Sequence, residues 1–194
     1  MKKKLTAILL CTLLIGSTFT INTLATSNSK QEKDKDSIIA LAQEYVNFKQ
    51  DFHRMPDDKV ETETLDDTVI QSVVNDKKND IKKFAKENTE FYKSNCEMVE
   101  VALNLQKVKD KDHPRSFGGY ASDININSVT FSGNSAHIDM TFTGHATYGQ
   151  WQDDKWILVN PSNVILQSFD FEKDSSGTWY IVSDDWSFAP GSEP

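Results

Sequence analysis

The sequence predicts an α+β fold, three helices packed on a curved antiparallel sheet of about five to six strands. Three observations carry this. From Ile38 to Tyr92, apolar side chains recur at three- and four-residue steps, the period of helices with one buried stripe. From Ser135 to Tyr148 the pattern alternates instead. Ala136, Ile138, Met140 and Phe142 point one way, and His137, Asp139, Thr141, Thr143 and His145 the other. That period of two marks a sheet with one buried and one wet face. Everything downstream reads as further strands, and helices followed by strands make an α+β plan.

Residues 1–25 read as a signal peptide. Lys2, Lys3 and Lys4 form a positive start, and Leu5–Ile15 is an apolar run too short to span a bilayer comfortably. Thr23-Leu24-Ala25 places small residues where signal peptidase reads. Secretion to the extracellular space from a bacterium, with cleavage after Ala25, is the expectation. Leu10, before Cys11, is too bulky for a lipobox. Cleavage would leave Cys96 as the single thiol, unable to form an intramolecular disulfide and read as a small buried hydrophobe. Losing Lys2, Lys3 and Lys4 and no acid moves the formal charge from -8 to -11. So acidic a chain is a poor partner for nucleic acid or anionic lipid.

Residues 26–36 are polar and aperiodic, the composition of a disordered tether. A single domain is expected over 37–188. Asp36-Ser37 can cap a first helix over Ile38–Met55, with Ile38, Leu41, Ala42, Tyr45, Phe48 and Phe52 as its stripe; Pro56 stops it. A second helix is expected over Leu65–Val74, a break over Asn75–Asn79, and a third helix from Asp80 past Ser94. Val99, Val101, Leu103 and Leu105 alternate, so Cys96–Val108 reads as a strand rather than a continued helix. Lys109–Gly119 reads as a loop. In Ser122–Phe131 the apolar set changes phase, from Ile124 and Ile126 to Val129 and Phe131, which predicts a β-bulge near Asn127. Ser135–Tyr148, Lys155–Val159, Val164–Lys173 and Thr178–Phe188 complete the strands. Residues 189–194, Ala-Pro-Gly-Ser-Glu-Pro, read as a linker-like tail.

Several runs carry a resemblance. They are Ile81-Lys82-Lys83-Phe84-Ala85-Lys86-Glu87, Asn127-Ser128-Val129-Thr130-Phe131, the Gly133-Asn134 turn, Ala136-His137-Ile138-Asp139-Met140, and the closing Gly177-Thr178-Trp179-Tyr180-Ile181-Val182. In this order they resemble the NTF2-like, cystatin-like cone folds. Within that group they look like the N-terminal accessory region of secreted bacterial amidase-domain proteins. The resemblance implies a curved sheet wrapped on a long helix, with a pocket between them. The amidase activity itself is not carried over.

Few constellations point to chemistry. His137, Asp139 and His145 share one face of one strand, a spacing that suits a ligand site or an acid–base pair and equally the wet face of a half-buried strand. Asp153-Asp154 and Asp184-Asp185 are paired carboxylates without the glycine or spacing of a calcium loop, and read as solvated turns. Trp151, Trp156, Trp179 and Trp186, with Tyr120, Tyr148 and Tyr180, form an aromatic concentration. It suits a platform for sugar or peptide, or strand packing. The candidate ligand-binding residues are therefore Trp151, Trp186, Tyr148, His137, Asp139 and His145. No catalytic residue, metal site or cofactor is assigned. The leading reading is an exported, non-catalytic ligand- or protein-binding accessory domain, with an extracellular protein or cell-wall component as partner. The alternatives are a small NTF2-like enzyme with an acid/base pair in the cone pocket, or a secreted immunity or inhibitor protein.

Overall fold

The computed structural model describes residues 29–113 and 115–192. The export segment expected over residues 1–25 lies outside them. Contacts divide the chain after Ile38. In the N-terminal unit the described residues, 29–38, are helical. This corrects the tether from residue 29 onward. Lysine, glutamine and glutamate lose little side-chain freedom in a helix, so a polar run of them forms one without a buried face.

The unit from Ile39 holds the rest of the first helix, α1 (29–51), then α2 (Asp67–Ile81) and α3 (Glu90–Asn104). Ala42, Tyr45, Val46 and Phe48 form the buried stripe of α1. α2 runs straight through the break expected at Asn75–Asn79. Ile70, Val74 and Ile81 lie on one face and are buried, and that burial overrides the weak propensity of the two asparagines. The third helix, expected from Asp80, starts later, at Glu90. Asn88, at φ +70°, interrupts the chain there, and the Thr89 hydroxyl then caps α3 by accepting from Tyr92 N at 3.2 Å.

The strand expected over Cys96–Val108 is instead the second half of α3. Val99 and Leu103, one turn apart, are fully buried, while Val101 and Leu105 are 56% and 57% exposed. Only the helical half of the alternating set has a core to face.

The sheet is antiparallel, ordered β1-β2-β4-β5, with β3 beside the far end of β2. Its strands are β1 (Ser116–Ser132), β2 (Ser135–Gln152), β3 (Lys155–Val159), β4 (Ser162–Lys173) and β5 (Trp179–Phe188). β1 starts inside the loop expected over Lys109–Gly119. The register between β1 and β2 slips between Ile126 and Ser128, at the expected Asn127 bulge, and again between Ser122 and Asn125. These slips bend the sheet. Asp153 and Asp154 both take positive φ, +50° and +60°, as a two-residue hairpin turn requires. Residues 189–192 are docked rather than linker-like: Ala189 N donates to Val164 O at 2.9 Å, and Ser192 Oγ accepts from Val164 N at 2.6 Å.

α1 lies across the inner face of the sheet. Ala136, Ile138, Met140 and Phe142 of β2 are buried there with Phe169 and Phe171 of β4. The Tyr45 ring meets Phe84 and Phe169 edge-on, at 5.4 and 5.6 Å. Each such large side chain contributes roughly 1.5–3 kcal/mol by burial. α1 also caps the start of the β1 edge. Asn47 Oδ1 accepts from Ala121 N at 2.9 Å, and Asp51 Oδ1 from Gly119 N at 3.4 Å.

Candidate functional site

Between the C-terminal half of α1, α3 and the inner face of the sheet lies a cavity of about 370 Å³. The apolar wall comes from Phe52, Met98, Phe142, Ala146, Pro161, Ile165, Trp186 and Phe188. The polar groups are Lys49, Gln50, Asn163 and Gln167. Two larger hollows, lined by residues of α1 and α2 and of α3, are more open to solvent. Gly144 keeps the cavity floor low: a Cβ there would come within 2.9 Å of both Gln50 Oε1 and Ile165 Cδ1. A half-open, mostly apolar space with a few polar groups is the form that small-ligand and side-chain sites take.

A bulge in β5 builds the open side of this cavity. Pairing with β4 slips between Asp170 and Phe171, so Phe171 opposes Ile181 while Phe169 opposes Asp184. Ile181 faces the core; after the slip Asp184, Trp186 and Phe188 face it, and Asp185 faces out. The Asp184-Asp185 pair therefore never acts as a pair. Asp184 turns inward, 3.8 Å from Lys49 Nζ and 3.3 Å from the Tyr45 hydroxyl. Lys49 Nζ also lies 3.5 Å from Met98 Sδ. Gln167 Nε2 donates to Asp185 O at 2.9 Å, which fixes that amide in the wall. Trp186, 52% exposed, stands at the mouth with its ring 5.4 Å from Phe188, edge to face.

The other predicted residues lie elsewhere. His137 and Asp139 are on the outer face, as their alternation requires. A hydrogen-bonded chain crosses four strands there. Ser128 Oγ donates to Asp139 Oδ2 at 2.6 Å, and Asp139 Oδ1 lies 3.2 Å from His137 Nε2. His137 Nδ1 lies 2.7 Å from Asp170 Oδ1, and Ser183 Oγ donates to Asp170 Oδ2 at 2.7 Å. The Asp170 bond first, then the Asp139 bond, raises the His137 pKa above its ordinary value. Hydrogen bonds from Ser128 to Asp139 and from His137 to Asp170 lower those carboxyls. Both imidazole nitrogens are engaged, so this group straps strands together on the side away from the cavity. His145 is further along the same face. Its Nε2 lies 2.8 Å from Ser122 Oγ, and its ring stacks on Tyr120 at 4.4 Å.

Trp151 meets Trp156 edge-on at 5.6 Å on the β2–β3 hairpin, and Tyr148 lies opposite Val159 at the base of that hairpin. Of the six predicted residues, Trp186 alone lines the cavity. Reasoning from sequence missed Lys49, Gln50, Met98 and Asp184. The phase change from Ile181 to Trp186 and Phe188 was the available signal for the last of these. Among the described residues no group of three or more His, Cys, Asp or Glu side chains is arranged to hold a metal ion.

No family model matches the chain, and no curated protein matches it. Solved structures do. One is the intermembrane space region of the chloroplast protein ARC6, at 12% identity and a TM-score of 0.49, covering 81% of this chain and 96% of that one. Another is an NTF2-like protein with a cystatin-like fold from Novosphingobium aromaticivorans, at 12% identity and a TM-score of 0.42, covering 87% and 90%. A third is an NTF2-like protein involved in plasmid conjugation, at 11% identity and a TM-score of 0.37, covering 81% and 52%. At these scores the likenesses carry no functional argument. The architecture itself, a helix laid across a bent antiparallel sheet with a cavity between, has the arrangement that the sequence resemblance leads one to expect.

Proposed function

We propose that the chain is an exported bacterial binding module, an accessory domain without catalysis of its own, whose ligand enters the cavity between α1 and the sheet. The observation that carries this is the chemistry of the lining. Eight apolar or aromatic side chains, three amides and one ammonium facing Asp184 favour holding a ligand over moving its protons. The enzyme alternative needs an acid/base pair in that space, and the His137–Asp139 pair is on the opposite face. Export rests on the tripartite N-terminus, so secreted protein should begin at Thr26 on N-terminal sequencing.

The binding reading is tested with 8-anilinonaphthalene-1-sulfonate, an anionic fluorophore with an apolar aromatic body. It should bind saturably at one site. Ala146→Trp, which fills the cavity from β2, should abolish the signal while the circular dichroism spectrum stays native. Equal binding by the filled variant would show that the cavity is not the site.

A further inference from the structure

Each lateral edge of the sheet is capped over only part of its length, and only the open part of β5 borders the cavity. Along β1, side chains of α1 cap two outward N–H groups near its start, Asn47 on Ala121 N and Asp51 on Gly119 N. Along β5, cover stops at Ile181, whose N–H donates to Phe84 O at 2.8 Å. Beyond that point the register decides which groups point outward. Ala189 N bonds to Val164 O, so the bonded pairs continue as Ser187 with Leu166 and Asp185 with Ser168. The N–H and C=O groups of Asp184, Trp186 and Phe188 therefore face away from β4, and among the described residues they have no hydrogen-bond partner. Donors and acceptors repeating every second residue are matched by one chemistry only, another extended backbone. The same residues aim Trp186 and Phe188 into the cavity.

We infer that β5 is a docking edge for an extended peptide segment of a partner protein, with one large apolar side chain in the cavity and basic residues beside it. The inference rests on the binding reading above and specifies its ligand. The added strand runs beside Asp184–Phe188. Its residue next to Trp186 turns inward, and about 370 Å³ accommodates one aromatic or large aliphatic side chain. Its two neighbours turn outward beside Ser187 and the exposed Asp185. Asp170, also on this face, adds to a negative surface, although His137 is bonded to it. Lysine or arginine at those two positions is the complementary choice, and cross-strand pairs of opposite charge are favourable.

The test is selection of phage-displayed random nonapeptides on the purified full chain, with the Trp186→Ala chain used for counter-selection. Enriched peptides should carry an aromatic or large aliphatic residue with Lys or Arg on at least one side. Synthesised winners should bind the wild type at least 10-fold more tightly than Trp186→Ala. N-methylation of the peptide amides facing β5 should weaken binding at least 10-fold, whereas N-methylation of the alternate amides should not. Winners indifferent to backbone methylation, or no enrichment at all, overturn the docking edge. If 8-anilinonaphthalene-1-sulfonate still binds in that case, the cavity reading survives alone; if it does not, both fall. A concentration-dependent dimer in sedimentation that winners cannot dissociate would assign the edge to a second copy and also overturn the inference.

Discussion

The Tyr45 hydroxyl donates to Asn95 Oδ1 at 2.8 Å, tying α1 to α3 inside the core. Asn95 Nδ2 is spent on Phe91 O at 2.9 Å, so the amide cannot turn to find another partner. Asp184 Oδ2, 3.3 Å from the same hydroxyl, makes ionisation of the tyrosine doubly unfavourable. Burial, then the charge of Asp184, raises the Tyr45 pKa above the ordinary tyrosine value. Tyr45→Phe keeps the ring contacts and removes the donor from two acceptors, so it should cost about 1–3 kcal/mol in urea unfolding. The sign with pH follows from linkage. A raised folded pKa contributes stability that is complete below the unfolded tyrosine pKa and is lost as pH climbs above it. Wild type should therefore lose more stability than Tyr45→Phe in alkaline urea titrations, and equal losses would contradict this.

The outer face makes a second pH prediction. His137 has a raised pKa through its bonds to Asp170 and Asp139, so the strap it forms is complete below the ordinary histidine value and weakens as pH rises through the raised one. His53 goes the other way because burial lowers its pKa. Proton NMR titration should place His137 above His53, and Asp170→Asn should lower the His137 midpoint more than Asp139→Asn does, following the order of the two bonds. The group is well exposed, so the effect on global stability should stay small.

The two tryptophans singled out in the sequence should part company. Trp186 lines the cavity, and Trp151 packs on Trp156 in the β2–β3 hairpin. Trp186→Ala should weaken binding of 8-anilinonaphthalene-1-sulfonate several-fold at little cost in melting temperature, since the ring is half exposed. Trp151→Ala should leave that binding unchanged. Matching losses from both would place the ligand outside the cavity.

Much of the sheet was legible because its signal is local. The alternation of Ala136 to His145 fixed the faces of β2, and the phase change after Ile126 located a bulge that the β1–β2 register confirms. The same reasoning applied to Ile181, Trp186 and Phe188 would have found the β5 bulge and turned Asp184 inward. The helices were less legible because their limits depend on what they pack against. Val74 and Ile81 hold α2 together across two asparagines, and Val99 and Leu103 are helical because their faces meet a core. The cavity was legible only at Trp186. Lys49, Met98 and Gln167 come from three separate elements, and no spacing in a single stretch brings them together.

Arg115 carries the last prediction. It is the largest of the fully buried side chains, at 0% exposure. Its Nη1 donates to Lys59 O at 3.0 Å, and its Nη2 to Lys107 O at 3.1 Å and Glu63 O at 3.3 Å. One guanidinium thus holds the connection between α1 and α2 against the chain that leaves α3. Nearby, Gln106 does similar work, donating to His53 O at 2.8 Å and accepting from Ser116 N at 2.8 Å. The planar fork reaches three carbonyls on three sides, which a lysine ammonium cannot span. Arg115→Met fills much of the volume but removes three bonds from a charged donor; each carbonyl keeps one backbone partner, from Thr62, Leu65 or Lys109 N, so the change should cost about 1–3 kcal/mol. Arg115→Lys should fall between Met and wild type, because an ammonium satisfies some of the three. Amide exchange should rise first around Lys59–Leu65 in both variants. If Arg115→Met unfolds at the wild-type urea midpoint, the carbonyls are not what the guanidinium is there to satisfy.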